Sequence, residues 1–200
     1  MPRILLLDDE QNVLSAIKRS LRGGIGPVVR VEDFMEPEPA LARLKDASFD
    51  VVISDFRMPL MTGVEFLGLV RSIQPTAVRM ILSASSDSQV LMQAVNNAEV
   101  FRYLLKPWDD KDLTRHVRAA LDRYDQLRHE TEMADIGRHE FGQLSAAELE
   151  KRRLETLEPG LTRVAWGPEG DVLGPEEQGK LLKRREARTA GPLLGPHRGG

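Results

Sequence analysis

The sequence predicts an α/β fold in which a five-stranded parallel sheet is covered by helices on both faces. Two observations carry this prediction. Short apolar runs alternate with segments of helical spacing along residues 1–124, which is typical of repeated βαβ units. The runs ILLL (Ile4–Leu7) and VVIS (Val51–Ser54) are almost entirely apolar, as expected for strands that are buried on both faces of a parallel sheet.

The individual elements follow one another at regular spacing. Strands are predicted at Ile4–Leu7, Val28–Val31, Val51–Ser54, Arg79–Ser83 and Val100–Leu105. Helices are predicted between them at Glu10–Leu21, Pro37–Ala47, residues 62–73 and residues 86–96, and a fifth begins at Asp109. The glycine-rich Gly23–Pro27 ends the first helix, Pro37 suits a first helical turn, and Thr62 with Glu65 forms a capping box.

Bulk composition excludes several classes of protein. Apolar residues make up 41% of the chain and charged residues 30%, with a net charge of −3, which does not favour a nucleic-acid partner for the chain as a whole. The absence of Cys excludes thiolate metal sites and thiol catalysis. The apolar run near the start is too short for a membrane span or an export signal, so we expect no membrane partner and a cytoplasmic location.

The residues after Tyr124 differ in character. Residues 125–158 are predicted as a charged helical extension in which Ser145 and Glu148 form a second capping box, and residues 159–174 as a small hairpin. Residues 175–200 are predicted as a disordered basic tail, with six Lys and Arg against three Glu.

A heptad spacing runs on from the fifth helix through Leu113, Val117, Ala120, Tyr124, Leu127, Thr131 and Ala134. Two interpretations of this seam stay open. It forms a parallel homodimer through the C-terminal helix, or the helix is solvated and only its first half packs on the sheet.

Polar residues stand at the carboxyl ends of four predicted strands. Asp8 and Asp9 follow the first strand, Asp55 the third and Lys106 the fifth, while Ser83 ends the fourth. These ends share one edge of a parallel sheet, where ligands bind.

Three close carboxylates repel one another and need a cation, and oxygen ligands favour Mg²⁺. The set therefore predicts a Mg²⁺-dependent reaction between a carboxylate and a phosphate, in which Lys106 and Ser83 contact phosphoryl oxygens. Each residue alone has an ordinary interpretation, such as a helix cap for Asp8 and Asp9, so the prediction depends on their joint order.

Four segments together resemble the receiver domain of bacterial two-component response regulators over residues 3–124: LLLDDE (Leu5–Glu10), SDFRMPLMTG (Ser54–Gly63), ILSAS (Ile81–Ser85) and YLLKPW (Tyr103–Trp108). The resemblance implies a doubly wound, flavodoxin-like sheet of strand order 2-1-3-4-5 with a C-terminal helical extension.

The resemblance also implies the roles of individual residues. Asp55 is the phosphoacceptor, which takes its phosphoryl group from a sensor histidine kinase or a phosphotransfer protein. Mg²⁺ is held by Asp9 and Asp55, by Asp8 mostly through water, and by the backbone carbonyl of Arg57. Lys106 assists the transfer by pairing with a phosphoryl oxygen. The Lys106–Pro107 bond is usually cis in this family.

The family's conformational switch is expected at Ser83 and Tyr103. The hydroxyl moves toward the phosphoryl group and the aromatic ring turns inward. Arg57 and Ser85 flank the entrance and leave the lifetime of the phosphoryl group open. The segment Phe101–Asp110 resembles receivers that are often joined to cyclic-dinucleotide phosphodiesterase or cyclase output domains.

We expect a stand-alone response regulator, not an enzyme, that signals to a downstream protein by contact. The sequence holds no helix-turn-helix pattern, cyclase signature or His-Asp pair. Two alternatives from other classes stay open. One is a nucleic-acid-binding regulator that uses the basic tail 175–200, and the other is a Mg²⁺-dependent phosphohydrolase that turns over small phosphoesters.

Overall fold

Five parallel strands form one sheet in the computed structural model, which describes residues 1–27, 29–84 and 98–157. The strands are β1 (Arg3–Leu7), β2 (Arg30–Phe34), β3 (Val51–Asp55), β4 (Val78–Ser83) and β5 (Arg102–Leu105). Their order across the sheet is β2-β1-β3-β4-β5, and every neighbouring pair is parallel. The predicted fold class, strand number and strand order are confirmed.

Helices pack on both faces of this sheet. The described helices are α1 (Gln11–Gly24), α2 (Pro37–Asp46), α3 (Gly63–Ile73), α4 (Asp110–Glu140) and α5 (Ala146–Leu157). Alternate residues of β1 separate the two faces, since Leu6 packs with α1 and α4 whereas Leu5 and Leu7 pack with α2 and α3. The central strands are therefore buried on both sides, which is why their sequences are almost entirely apolar.

The edge strand β2 begins later than the sequence suggested. The predicted start at Val28 lies outside the described residues, and pairing with β1 begins at Arg30, opposite Arg3. The polar residue Glu32 belongs to the strand because Arg3 (3.1 Å) and Arg43 (2.7 Å) bind its carboxylate. These ion pairs place charged residues in a strand that the apolar pattern alone did not indicate.

Two further boundaries differ by a few residues. The first helix was predicted to end at Leu21, but it continues through Gly24, where an added Cβ would lie 2.3 Å from Thr114 Oγ1. Gly24 therefore permits close packing of α1 on α4, whereas the sequence suggested that the glycines at Gly23 and Gly24 break the helix. Strand β5 was predicted from Val100 and begins at Arg102, where its pairing with β4 starts.

Both predicted capping boxes are confirmed. Thr62 Oγ1 accepts from Glu65 N at 3.3 Å, and Thr62 N donates back to the Glu65 carboxylate at 2.9 Å. Ser145 and Glu148 make the same reciprocal pair at 3.2 and 3.0 Å. Asp109 caps α4 by accepting from two backbone N–H groups of its first turn. A side-chain cap of this kind typically stabilises a helix by about 1 kcal/mol, so local sequence favours the start of each of these three helices.

The long helix α4 runs without interruption through Tyr124, the last residue of the predicted receiver segment. The first four seam residues are buried against the sheet, and Leu127 packs against their cluster. Thr131 and Ala134 are exposed. The first half of the seam thus packs within the chain, which agrees with the second of the two interpretations. A homodimer through the remaining part of α4 stays a prediction.

The last described helix, α5, folds back along α4. Asp135 of α4 is buried, and its carboxylate binds Arg138 at 2.6 Å and Arg152 of α5 at 3.1 Å. Ser48, in the turn after α2, donates its hydroxyl to the carbonyl oxygen of Leu157 at 2.8 Å. The Asp135 contacts hold α5 against α4, and the Ser48 hydrogen bond attaches the end of α5 to the sheet domain.

Three predicted segments lie outside the described residues, namely the helix at residues 86–96, the hairpin at 159–174 and the basic tail at 175–200. Across the part of the chain that is described, the helices lack the combination of length and apolar character that a membrane-spanning helix requires.

Candidate functional site

The carboxyl edge of the sheet brings together the polar residues that follow the strands. Asp8 comes directly after β1, while Asp55 and Ser83 are the last residues of β3 and β4. All three are buried, with 1%, 6% and 2% of their surface exposed. Apolar strands hold their polar ends rigidly, so carboxylates that water would normally solvate are fixed at the rim of the core.

Lys106 joins two of these strand ends. Its Nζ lies 2.7 Å from Asp8 Oδ2 and 2.5 Å from Asp55 Oδ1, while its backbone N–H donates to the carbonyl oxygen of Ser83 at 2.8 Å. The structure brings together, at the carboxyl edge of the sheet, four residues that were predicted to lie there: Asp8, Asp55, Ser83 and Lys106. The Lys106–Pro107 peptide bond is cis, as expected.

The electrostatics of this cluster are those of buried charge held by pairing. Burial raises the pKa of Asp8 above its ordinary value, although the hydrogen bond from Lys106 opposes that rise. Burial also works against the ammonium, yet the hydrogen bonds to Asp55 and Asp8 outweigh it and raise the pKa of Lys106. Two carboxylates share one ammonium here, so the cluster carries surplus negative charge that a further cation would relieve.

The backbone around Asp55 aims its side chain. Arg57 N donates to Asp55 Oδ2 at 2.6 Å, and the Ser54 hydroxyl donates to the Asp55 carbonyl oxygen at 2.9 Å. The chain then turns so that Gly63 N donates to the carbonyl oxygen of Phe56 at 3.0 Å. At Gly63 an added Cβ would lie 2.0 Å from the Asp55 carbonyl oxygen, so only glycine allows α3 to begin this close to the strand end.

Three features of this turn were not anticipated from the sequence. They are the Ser54 hydroxyl bond, the Arg57 N–H bond and the steric reason for Gly63. A small polar residue immediately before Asp55 and a glycine at the start of α3 were the available signals. They could be interpreted only once the backbone path between β3 and α3 was known.

Asp9 and Arg57 occupy the outer part of the site. Asp9 is half-buried and makes no ion pair with any of the described residues, while the Arg57 side chain is exposed. The Arg57 carbonyl oxygen and the Asp9 carboxylate stay predicted metal ligands.

Tyr103 lies on β5 opposite Ile81 of β4. Its ring is half-buried and packs against the cluster that contains Leu5 and Leu7. This packing accounts for an aromatic ring at this position, and the movement of Tyr103 with Ser83 stays a prediction.

The donor set suits Mg²⁺ with an incomplete protein shell. Among the described residues, no three carboxylate or imidazole groups lie together as a closed metal site. Asp8 and Asp55 each place an oxygen atom on the same Lys106 Nζ, and a bound Mg²⁺ commonly takes only one or two carboxylates, with water and phosphate completing its shell. The residues present therefore fit this ion.

Comparison with known proteins identifies the family. The model of the response regulator receiver domain matches residues 4–118. The chain is 34% identical over 138 residues to the hydrogenase transcriptional regulatory protein HoxA of Bradyrhizobium diazoefficiens, an alignment that covers 66% of this chain and 26% of HoxA. The chain thus spans about a quarter of that relative's length.

Solved structures agree with this assignment. The signal receiver domain of an HD domain-containing protein from Pseudomonas fluorescens Pf-5 is 30% identical with a TM-score of 0.60, over 64% of this chain and 92% of that one. A structure described as adenylate cyclase from Rhodopirellula baltica is 34% identical with a TM-score of 0.60, over 66% of this chain and 96% of that one. The family model, these similarities and the strand order agree, and the chain belongs to the response regulator receiver domain family.

Proposed function

We propose that this chain is a response regulator that accepts a phosphoryl group on Asp55 from the phosphohistidine of a sensor kinase or a phosphotransfer protein. The observation that carries the proposal is the position of Lys106 Nζ between Asp8 and Asp55. It supports a site in which one buried carboxylate reacts while a cationic group stands beside it to receive phosphoryl oxygens.

The transfer is a substitution at phosphorus. One oxygen of the Asp55 carboxylate forms a bond to the phosphorus atom while the bond from phosphorus to the donor's imidazole nitrogen breaks. The electron pair of that bond stays on the imidazole, which then takes up a proton. Asp55 Oδ2 is held by Arg57 N, which supports attack through Oδ1, the oxygen that faces Lys106.

The neighbouring residues have separate tasks. Lys106 exchanges its hydrogen bond to Asp55 for one to a phosphoryl oxygen, and the Ser83 hydroxyl donates to another oxygen. Asp8, Asp9, Asp55 and the Arg57 carbonyl would hold Mg²⁺, which when bound neutralises charge on the transferring group. The acyl phosphate then biases the pair Ser83 and Tyr103, and a downstream protein reads the altered surface.

The receiver segment is proposed to end at residue 124. Tyr124 is the last buried residue of α4 in the core cluster, and the family match ends six residues earlier, at 118. Residues 125–158, 159–174 and 175–200 are proposed as the helical extension, a hairpin and a basic tail. A homodimer through the C-terminal helix would use only its exposed part beyond Tyr124.

The test of the phosphoacceptor is incubation of the full chain with acetyl phosphate and Mg²⁺, followed by intact mass measurement. We expect one added phosphate, none after chelation of the metal and none in Asp55→Asn. Asp33→Asn is the matched control, because Asp33 lies in β2, pairs with Lys18 and is absent from the Lys106 cluster. Labelling that persists in Asp55→Asn and maps to another residue would contradict the assignment.

The basic tail gives the second candidate, a regulator that binds nucleic acid. It is favoured by six Lys and Arg against three Glu in residues 175–200 and by the transcriptional role in the name of HoxA. A salt-dependent mobility shift of DNA that disappears on deletion of residues 175–200 would support it. No shift in the full chain, phosphorylated or not, would reject it in favour of signalling by protein contact.

A further inference from the structure

A second concave site lies between the end of α1 and the beginning of α4. The cleft has a volume of about 710 Å³, within the range of roughly 300–1,000 Å³ that small-molecule sites occupy. Charged side chains line it, namely Arg19, Lys111, Arg115, Arg118, Asp110 and Asp122. None of these residues belongs to the Lys106 cluster.

The cations of this cleft are largely without carboxylate partners. Among the described residues, Arg19 and Lys111 form no ion pair. Arg118 donates to the backbone carbonyl oxygen of Gly24 at 2.5 Å, an uncharged acceptor that leaves the positive charge of the guanidinium group unbalanced. Only Arg115 is paired, with the exposed Asp112 at 2.8 Å. Arginine and lysine side chains that line one cleft without counter-charge are stabilised when an anion binds between them.

The acidic side chains do not cancel this charge. The Asp110 carboxylate accepts a hydrogen bond from the Ser20 hydroxyl at 2.6 Å, so it is used to join the two helices. With Arg115 paired to Asp112, the lining keeps three cationic groups, Arg19, Lys111 and Arg118, against Asp110 and Asp122, which leaves a surplus of one positive charge. Three cationic groups, Arg19, Lys111 and Arg118, thus have no carboxylate partner among the described residues and are available to an anionic ligand.

The shape of the floor admits such a ligand. Thr114 contacts Gly24 so closely that no Cβ fits there, which holds the two helices together at this level. One residue earlier, at Gly23, an added Cβ would meet nothing within 4 Å. The helices therefore pack tightly at Gly24 and leave open space beside Gly23, on the floor of the cleft.

From the charge surplus, the unpaired guanidinium groups and this open floor, we propose that the cleft binds an anion with two linked phosphoryl groups, a diphosphate. Guanidinium groups bind phosphate oxygens in pairs, and two adjacent phosphoryl groups give Arg19, Lys111 and Arg118 an acceptor each. The concave form and the carboxylates in the lining favour a small anion over a nucleic-acid backbone. Inorganic pyrophosphate and the diphosphate of a nucleotide share this chemistry.

The test is isothermal titration of the full chain, in metal-free buffer, with inorganic pyrophosphate, ADP, adenosine and a short DNA duplex. Pyrophosphate should bind saturably at one site, and adenosine should not bind. Tighter binding of ADP than of pyrophosphate would identify a nucleotide as the source, and the reverse would identify the inorganic anion. The same titration of Lys106→Met should be unchanged, since the cleft is separate from the Asp55 site.

Charge variants locate the site. Arg19→Gln combined with Lys111→Gln should weaken pyrophosphate binding at least tenfold, a loss of about 1.4 kcal/mol, whereas Arg22→Gln should change it less than twofold. Arg22 is exposed on the same helix and is not part of the lining. Gly23→Glu should abolish binding more completely than the isosteric Gly23→Gln. All of these variants should still accept phosphate on Asp55 from acetyl phosphate.

Three outcomes would overturn the proposal. The first is no saturable binding of either diphosphate. The second is an equal loss in Arg22→Gln, which would indicate general attraction to a basic surface. The third is binding of the DNA duplex alone, which would indicate a nucleic-acid surface in place of a small-anion site.

Discussion

Two glycines of α3 make a paired experiment on the backbone that carries Asp55. Gly63 begins the helix and Gly68 lies in its middle, and each can be changed to alanine. At Gly63 the new Cβ would lie 2.0 Å from the Asp55 carbonyl oxygen and 3.1 Å from Ser54 Oγ. At Gly68 it would meet no atom within 4 Å. The same substitution in one helix should therefore have opposite effects.

The magnitudes follow from two opposing contributions. Alanine in a helix interior is favoured over glycine by roughly 0.5–1 kcal/mol, which should appear as a gain in the free energy of unfolding for Gly68→Ala. Overpacking of a close contact typically costs about 1–3 kcal/mol. The atom that Gly63→Ala would strike belongs to backbone and cannot rotate away, so we expect this variant to lose roughly 1–2 kcal/mol after the helical gain is subtracted.

Urea unfolding followed by circular dichroism measures both variants, and the two midpoints should move in opposite directions at constant slope. Labelling by acetyl phosphate should slow in Gly63→Ala, because its backbone shift displaces Asp55 from Lys106, and should keep its rate in Gly68→Ala. If Gly63→Ala were as stable and as reactive as Gly68→Ala, the steric account of the turn after β3 would be refuted.

Three other predictions concern residues away from Asp55. Gln74→Ala should cost roughly 2–4 kcal/mol in urea unfolding, because its buried amide donates to two backbone carbonyl oxygens and accepts from one backbone N–H. Glu32→Gln should cost about 1 kcal/mol near neutral pH. The hydrogen bond from Arg43 lowers the pKa of Glu32 below its ordinary 4.5. The stability that the ionised Glu32 carboxylate contributes is therefore fully present above pH 4.5 and is lost as the pH falls through the lower folded-state pKa. Urea unfolding at a series of acidic pH values would follow this loss. Asp135→Ala removes the ion pair with Arg152, and hydrogen exchange in α5 should accelerate several-fold.

Matched controls separate these effects from general ones. Gln11→Ala, Glu36→Gln and Glu140→Ala change exposed residues. Each should alter the free energy of unfolding, or the free energy of local opening measured by hydrogen exchange, by less than about 0.5 kcal/mol. A stability difference between the parent chain and Glu32→Gln that persisted well below pH 4 would argue against the ion pair. Unchanged exchange of α5 in Asp135→Ala would show that other contacts hold this helix.

The sequence alone indicated most of the fold because the signals for it are local. The apolar runs Ile4–Leu7 and Val51–Ser54 have the composition of doubly buried strands, and Thr62 with Glu65 marks a helix start. The predicted bounds of the edge strands were less accurate. β2 contains Glu32 and begins late because its polar side chains are satisfied by residues distant in sequence.

What the sequence determined by itself was the order of Asp8, Asp55, Ser83 and Lys106 at successive strand ends, since a parallel sheet must bring such ends to one edge. What only the tertiary structure decided was the detail of their contacts. The single ammonium shared by Asp8 and Asp55 depends on the path of the whole backbone. So do the exclusion of a side chain at Gly63 and the use of the α4 seam within the chain's own core. Periodicity tells which face of a helix is apolar, and only packing decides which surface covers it.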